Sequence, residues 1–180
     1  MLWQLLQRKL DSVDFGDDLA FKHRPLIYID TRQQLLACVS EQDTVSRFYP
    51  VSTSRFGLGQ QLGSFKTPVG VHRIAQKIGA GEPLGRVFKA RVATDEICLA
   101  EDFSGEQDLI TSRILRLEGL QEGINLGADV DSYRRYIYIH GTADEVHIGQ
   151  PASVGCIRMR NVDVMKIFDY IEVGDVVVIE

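Results

Sequence analysis

From Pro25 onward the sequence is a succession of short β-prone runs broken by turn residues, and this punctuation constrains the fold more than any other feature. "PLIYID" (25–30) and "QLLACVS" (34–40) are separated by Thr31, Arg32 and Gln33, and "TVSRFYPVSTS" (44–54) follows the polar turn "EQD". Runs this short, rich in β-branched and aromatic residues, read as strands, and three in succession read as a meander. Gly57, Gly59, Gly63 and Gly70 with Pro68 mark 55–70 as a loop with special backbone angles before "VGVHRIA" (69–75) resumes a strand. "KIGAGEPLGRVFKAR" (77–91) reads as a second glycine-rich loop, and "LITSRILRL" (109–117) as another strand. In "RYIYIH" residues 136, 138 and 140 face one way and 135, 137 and 139 the other, so His140 is expected at the end of a strand.

Two stretches depart from the extended pattern. In "NVDVMKIFDYIEVGD" (161–175) Val162, Met165, Ile167, Phe168 and Ile171 recur at helical spacing, with Asn161 placed to cap the first turn and Gly174 to follow the end. "DVVVIE" (175–180) then closes the chain as a buried strand. At the N-terminus Leu2, Leu5, Leu6 and Leu10 fall on one stripe of a short amphipathic helix. The expected architecture is mainly β, with a helix after Cys156 and a short N-terminal helix, in two parts: an extension over 1–24 docked on a domain over 25–180.

At 180 residues the default is a single domain with one substantial core. A formal charge of −5 gives no general attraction for nucleic acid or anionic membrane, and neither partner is expected. Gln4, Gln7, Arg8, Lys9 and Asp11 interrupt the N-terminal leucines before an apolar run of signal-peptide length develops, and nothing downstream approaches a membrane span. Three cysteines at wide spacing form neither a disulfide framework nor a CxxC knuckle, which fits a reducing compartment. The expected address is the cytoplasm, or the periplasm if a native signal peptide once preceded Met1.

Chemistry concentrates in residues 136–159, where His140, His147 and Cys156 lie close together. A zinc site would need ligands at the two-to-four-residue spacing of structural sites and a fourth ligand, and neither is evident, so no metal is expected. A free cysteine is most often a buried structural thiol, and Cys38 and Cys98, inside apolar runs, keep that reading. Cys156 differs because Ala152, Ser153 and Gly155 precede it and a helix starts soon after, a setting that can expose sulfur and aim N–H groups beside it. A neighbouring imidazolium or helix N-terminus would lower its pKa and make it an acylatable nucleophile. His140 is favoured over His147 as its partner because rigid elements hold catalytic geometry better, and His23 and His72 read as ordinary surface or strand histidines.

"IHGT" (139–142) followed by "SVGCIRM" (153–159), with "GSFKTPVG" (63–70) upstream, resembles the L,D-transpeptidase catalytic domain, also called the YkuD domain, from about Pro25 to Glu180. The resemblance implies a β-sandwich carrying a triad of Cys156, His140 and the Gly141 carbonyl, with Ser153, Gly155 and Arg158 at the remaining signature positions. Val154 stands where the family usually has a second histidine, so His140 must serve alone or His147 must compensate. The implied substrate is a peptidoglycan stem peptide, cut between the L-centre of a diamino acid such as meso-diaminopimelate and a terminal D-Ala, with backbone N–H groups near Gly155 and Cys156 holding the oxyanion and Arg158 holding a substrate carboxylate or bracing the loop. No cofactor and no protein partner are implied. Hydrolysis, trimming tetrapeptides to tripeptides in murein recycling, is the expected outcome; cross-linking or D-amino acid exchange, and a binding module without catalysis, are the alternatives.

Overall fold

The computed structural model describes residues 26–39, 45–105 and 108–180, together with Gln4, Leu6, Arg8, Leu10, Asp11 and Val13. Ten strands form the frame: β1 (Leu26–Asp30), β2 (Leu35–Val39), β3 (Val45–Ser52), β4 (Gly70–Ile78), β5 (Arg86–Lys89), β6 (Val92–Ile97), β7 (Ile110–Gly119), β8 (Tyr138–Thr142), β9 (Ile157–Arg160) and β10 (Val176–Ile179). They hydrogen-bond in the order β4-β10-β1-β2-β3-β9-β8-β7-β5-β6, and an additional β4–β7 pairing makes the sheet return on itself. The three N-terminal strands are the antiparallel meander that their turn spacing requires. Helix Asn161–Tyr170 connects β9 to the turn before β10.

The core follows from the alternation within the strands. Ile27 and Ile29 of β1, Leu115 and Leu117 of β7, Ile139 of β8, and Ile157 and Met159 of β9 point into one cluster, closed by Val164, Ile167 and Phe168 of the helix and by Ile171. Each such side chain, once fully buried, contributes about 1.5–3 kcal/mol. The opposite faces of β1, β2 and β10 form a second cluster in which Leu26, Ala37, Val39, Val176 and Val178 pack with Leu6, Leu10 and Val13. Gln4, Leu6, Arg8 and Leu10 are helical. Leu2, Leu5, His23 and the expected boundary at 24/25 lie outside the described residues.

Three local expectations are corrected. The glycine-rich stretch 77–91 is not all loop, since it contains β5, and β6 follows it as the partner strand of a hairpin. Strand β8 begins only at Tyr138, because Tyr136 adopts a left-handed backbone with φ 58° that breaks the ladder; His140 therefore sits in mid-strand rather than at its end. Asn161 does not cap the helix. Arg160 occupies the N-cap, the Asn161 N–H goes to Glu145 Oε1 at 2.8 Å, and the buried Asn161 amide ties three segments together. Its Oδ1 accepts from Thr111 Oγ1 and Ser112 Oγ, each at 2.6 Å, while its Nδ2 donates to Thr142 O at 3.0 Å.

His72 is a strand histidine in the buried interior. Its Nδ1 donates to Gly70 O at 3.1 Å, so its Nε2 accepts from Ser132 Oγ at 3.0 Å, and burial lowers its pKa to about 4. The neutral ring fits this niche and the cation does not. The unfolded chain therefore takes up the proton first as pH falls below about 6.5, and stability is lost down to about pH 4, by roughly 3 kcal/mol if the whole shift is realised. His72→Gln is expected to flatten this acid limb: the difference in unfolding midpoint between pH 7.5 and pH 5 should be smaller in the variant than in the parent, as read by denaturant titration.

Candidate active site

The site is built by one parallel strand pair. Strands β8 and β9 run side by side with Ile139 opposite Ile157 and His140 opposite Arg158. Parallel neighbours require a long return connection, and residues 143–156 provide it through a 3-10 turn at Glu145–His147. Since Ile139, Ile157 and Met159 take the core side, His140, Arg158 and Cys156 share the opposite side. Continuing the register one step back from Ile157 sets Cys156 beside Tyr138. His140, two residues further along β8, is then a diagonal neighbour of the thiol, a separation that side chains can span.

His140 is fixed from behind. Its Nδ1 donates to Gly141 O at 2.8 Å, which leaves Nε2 as the basic nitrogen. Burial pushes the imidazole pKa down, Asp108 pulls it up and Arg158 pushes it down again, so the resting ring is neutral. Gly141 is glycine for reasons of space: a Cβ there would lie 2.5 Å from Thr111 O and 2.7 Å from Asn161 Oδ1. The triad carbonyl is thus wedged between β7 and the first residue of the helix.

Around the thiol the structure departs from expectation. Burial raises the Cys156 pKa to about 12, outweighing the Tyr138 backbone N–H, Arg158 and Arg135, which lower it. The S–H instead donates to Tyr136 O at 3.5 Å. The helix expected to start soon after the thiol does so only at Asn161, because β9 intervenes. The expected thiolate is therefore a neutral thiol beside a neutral imidazole. Cys156 packs against the apolar cluster of Phe88, Ile114 and Tyr138 while staying partly exposed.

The turn before the thiol is tied to the 55–70 loop. Ser153 is fully buried, and its Oγ donates to Cys156 O at 2.6 Å while accepting the Gly155 N–H at 3.3 Å. The Gly155 amide, expected at the oxyanion, thus already has a partner. Gly155 has φ 130°, which explains the glycine, since a Cβ would have ordinary room. Thr67 of "KTPVG" clamps the turn: its Oγ1 donates to Gly155 O at 3.0 Å and accepts the Ser54 N–H at 2.9 Å. The motif was visible in the sequence but not this role.

Arg158 is committed to structure. Its side chain is 5% exposed, with Nη2 at 2.7 Å from Asp108 Oδ2 and Nη1 at 3.1 Å from Asp144 Oδ2. Asp144 also holds His147, whose Nδ1 lies 2.6 Å from Oδ1. Nothing in the sequence marked Asp108 or Asp144, which sit in unpatterned polar loops. Val154, Asp108, Asp144, His147, Arg158 and Arg55 line a cleft of about 430 Å³. His147 faces this cleft, and its hydrogen-bond partner is Asp144, not the sulfur. Cys38 and Cys98 are buried, and burial raises both their pKa values, to about 11 for Cys38. Among the described residues no group of three or more His, Cys, Asp or Glu side chains is assembled that would hold a metal.

This fold has solved relatives. The chain matches the L,D-transpeptidase catalytic domain (YkuD) family over residues 24–179, and it belongs to that family. It is similar in fold to an L,D-transpeptidase from Mycobacterium smegmatis, with 16% identity and a TM-score of 0.53 over 87% of this chain and 58% of that one. L,D-transpeptidase 3 from Mycobacterium tuberculosis, in complex with a faropenem-derived adduct, is similar at 13% identity and a TM-score of 0.53, covering 87% of this chain and 60% of that one. An L,D-transpeptidase from Xylanimonas cellulosilytica matches with 16% identity and a TM-score of 0.54 over 98% of this chain and 69% of that one. The chain thus spans less than two thirds of the length of the two mycobacterial structures. No curated protein sequence matches it.

Two measurements check the site. Iodoacetamide alkylation of Cys156 in the folded protein should keep accelerating with pH up to the highest pH at which the fold survives, with no plateau near pH 8–9, because burial pushes the thiol up to about 12. Gly141→Ala should destabilise the fold by about 1–3 kcal/mol in denaturant unfolding, since the added methyl meets the Thr111 backbone carbonyl.

Proposed function

We propose that this domain is a cysteine acyltransferase acting on peptidoglycan stem peptides, cleaving between the L-centre of a diamino acid such as meso-diaminopimelate and a terminal D-Ala. The observation that carries this reading is the His140 ring, held through Nδ1 on Gly141 O with Nε2 as its basic nitrogen, diagonal to Cys156 on the same side of a parallel strand pair. Forming a thiolate in advance from a thiol of pKa about 12 would cost on the order of 7 kcal/mol at neutral pH. Proton removal is therefore coupled to attack. Nε2 of His140 takes the thiol proton as Sγ adds to the carbonyl, and returns it to the departing amine as the C–N bond breaks, leaving a thioester. Water, deprotonated by the same imidazole, then adds to the thioester and restores the thiol.

Hydrolysis to the tripeptide, in cytoplasmic recycling of wall fragments, is the form we propose; its support is the wide spacing of the three cysteines in the sequence, which suggests no disulfide framework and fits a reducing compartment. The cleft favours a second reading. Asp108 and Asp144 both line it, Arg158 pairing with both and His147 with Asp144, and the two carboxylates suit an ammonium acceptor and hence transpeptidation or exchange.

Incubation with a disaccharide tetrapeptide, with and without a D-amino acid, followed by mass analysis, separates these outcomes. Loss of one alanine with gain of water is expected, and Cys156→Ala and His140→Gln should each lower turnover by at least about a thousandfold. Exchange or dimer products alone would replace hydrolysis by acyl transfer, and peptide binding without any product would leave a binding module.

A further inference from the structure

The departing residue of such a substrate carries a carboxylate only three bonds from the scissile carbon, roughly 4 Å away. A partly buried site must meet that charge with a cation. Arg158 and Arg135 act on the sulfur, Arg91 and Arg116 reach the rings of its neighbours Tyr136 and Tyr138, and their existing partners tell the four apart. Arg158, the sequence's candidate, already faces two carboxylates and is almost wholly buried. Arg135 gives Nη1 to Gly59 O and Nη2 to Lys66 O, and Arg116 gives Nη1 to Gln76 Oε1 and Nη2 to Tyr133 O.

Arg91 is different. It stands at the tip of the β5–β6 hairpin, between the paired residues Lys89 and Val92. Its Nη1 donates to Tyr138 OH at 3.2 Å, and its guanidinium lies 4.8 Å from the centre of the Tyr136 ring. Both partners are uncharged, and among the described residues no carboxylate pairs with it. The same two tyrosines flank the nucleophile, Tyr136 through its carbonyl and Tyr138 through its N–H. The backbone adds a second observation: Ala90 and Arg91 have φ 48° and 69°, a turn normally made by glycine or asparagine. Strain of this kind gathers at ligand sites.

We propose that Arg91 grips a substrate carboxylate beside the Cys156 sulfur, namely the terminal carboxylate of the departing D-residue. This assignment rests on the stem-peptide reading above. It makes Arg91 the residue that selects a free C-terminal residue, with Tyr136 and Tyr138 aiming the guanidinium.

Three tetrapeptide substrates test it: one with a free terminal carboxylate, one amidated there, and one amidated at the diaminopimelate side-chain carboxylate. The parent protein is expected to prefer the first over the second by about tenfold or more in kcat/KM. Arg91→Gln should abolish that preference by raising KM, with kcat within about twofold, and Arg91→Lys should retain part of it. Arg91→Gly, which relieves the left-handed backbone, should lose the preference while keeping the parent's Tm or exceeding it. An intact preference in the Gln and Gly variants overturns the assignment, as does an equal loss of kcat on all three substrates accompanied by a lowered Tm. Loss of discrimination only at the diaminopimelate carboxylate overturns it too. If the parent turns over none of the three, the stem-peptide reading fails, and the arginine site is read independently: acetyl-D-alanine, and not its amide, should slow iodoacetamide alkylation of Cys156 in the parent but not in Arg91→Gln. Equal protection in both proteins would overturn the site.

Discussion

The parallel pairing of β8 with β9 is the constraint on which the rest of the molecule depends. It places Ile139, Ile157 and Met159 in the core and, by the same alternation, His140, Cys156 and Arg158 on the other side. A slip of one residue would exchange these sets, moving the imidazole into the aliphatic core cluster and the isoleucines to the side of the site. The packing that stabilises the fold therefore also holds the chemical groups in register. The Asn161 amide secures the arrangement from behind, joining β7, the end of β8 and the start of the helix through buried hydrogen bonds.

Electrostatics at the site runs against a preformed ion pair. Both Cys156 and His140 are shifted toward their neutral forms, and burial is the largest cause for each. A neutral pair costs less to bury than an ion pair lacking full hydrogen bonding, and it defers charge separation until a substrate carbonyl is present. The surrounding arginines are then sorted by their partners. Arg158 is neutralised by two aspartates and braces the connection between the strands, Arg135 and Arg116 hold loop carbonyls, and Arg91 meets the two tyrosines beside the thiol and, among the described residues, pairs with no carboxylate.

Much of this frame was legible in the chain. The meander, the loop over 55–70, the helix after Cys156 and the closing strand follow from local alternation and turn residues, which act over a few positions. Errors fell where a distant contact overrode a local preference. Tyr136 takes a left-handed conformation that shortens β8, Asn161 turns its amide inward to Thr111, Ser112 and Thr142 instead of capping, and a strand separates the thiol from the helix. The hairpin of β5 and β6 was masked by the glycines just before it, Gly79, Gly81 and Gly85.

For the site, the sequence by itself determined which residue types stand at the two ends of the connection, a histidine followed by glycine and a cysteine after a small-residue turn, because catalytic identity is a property of side chains. Only the tertiary structure decided their protonation and their company. Desolvation depends on what packs around a sulfur, and a guanidinium's partners come from segments far apart in the chain. Hence Cys156 is a neutral thiol, Arg158 belongs to Asp108 and Asp144, and Thr67 clamps the nucleophile's turn from more than eighty residues away.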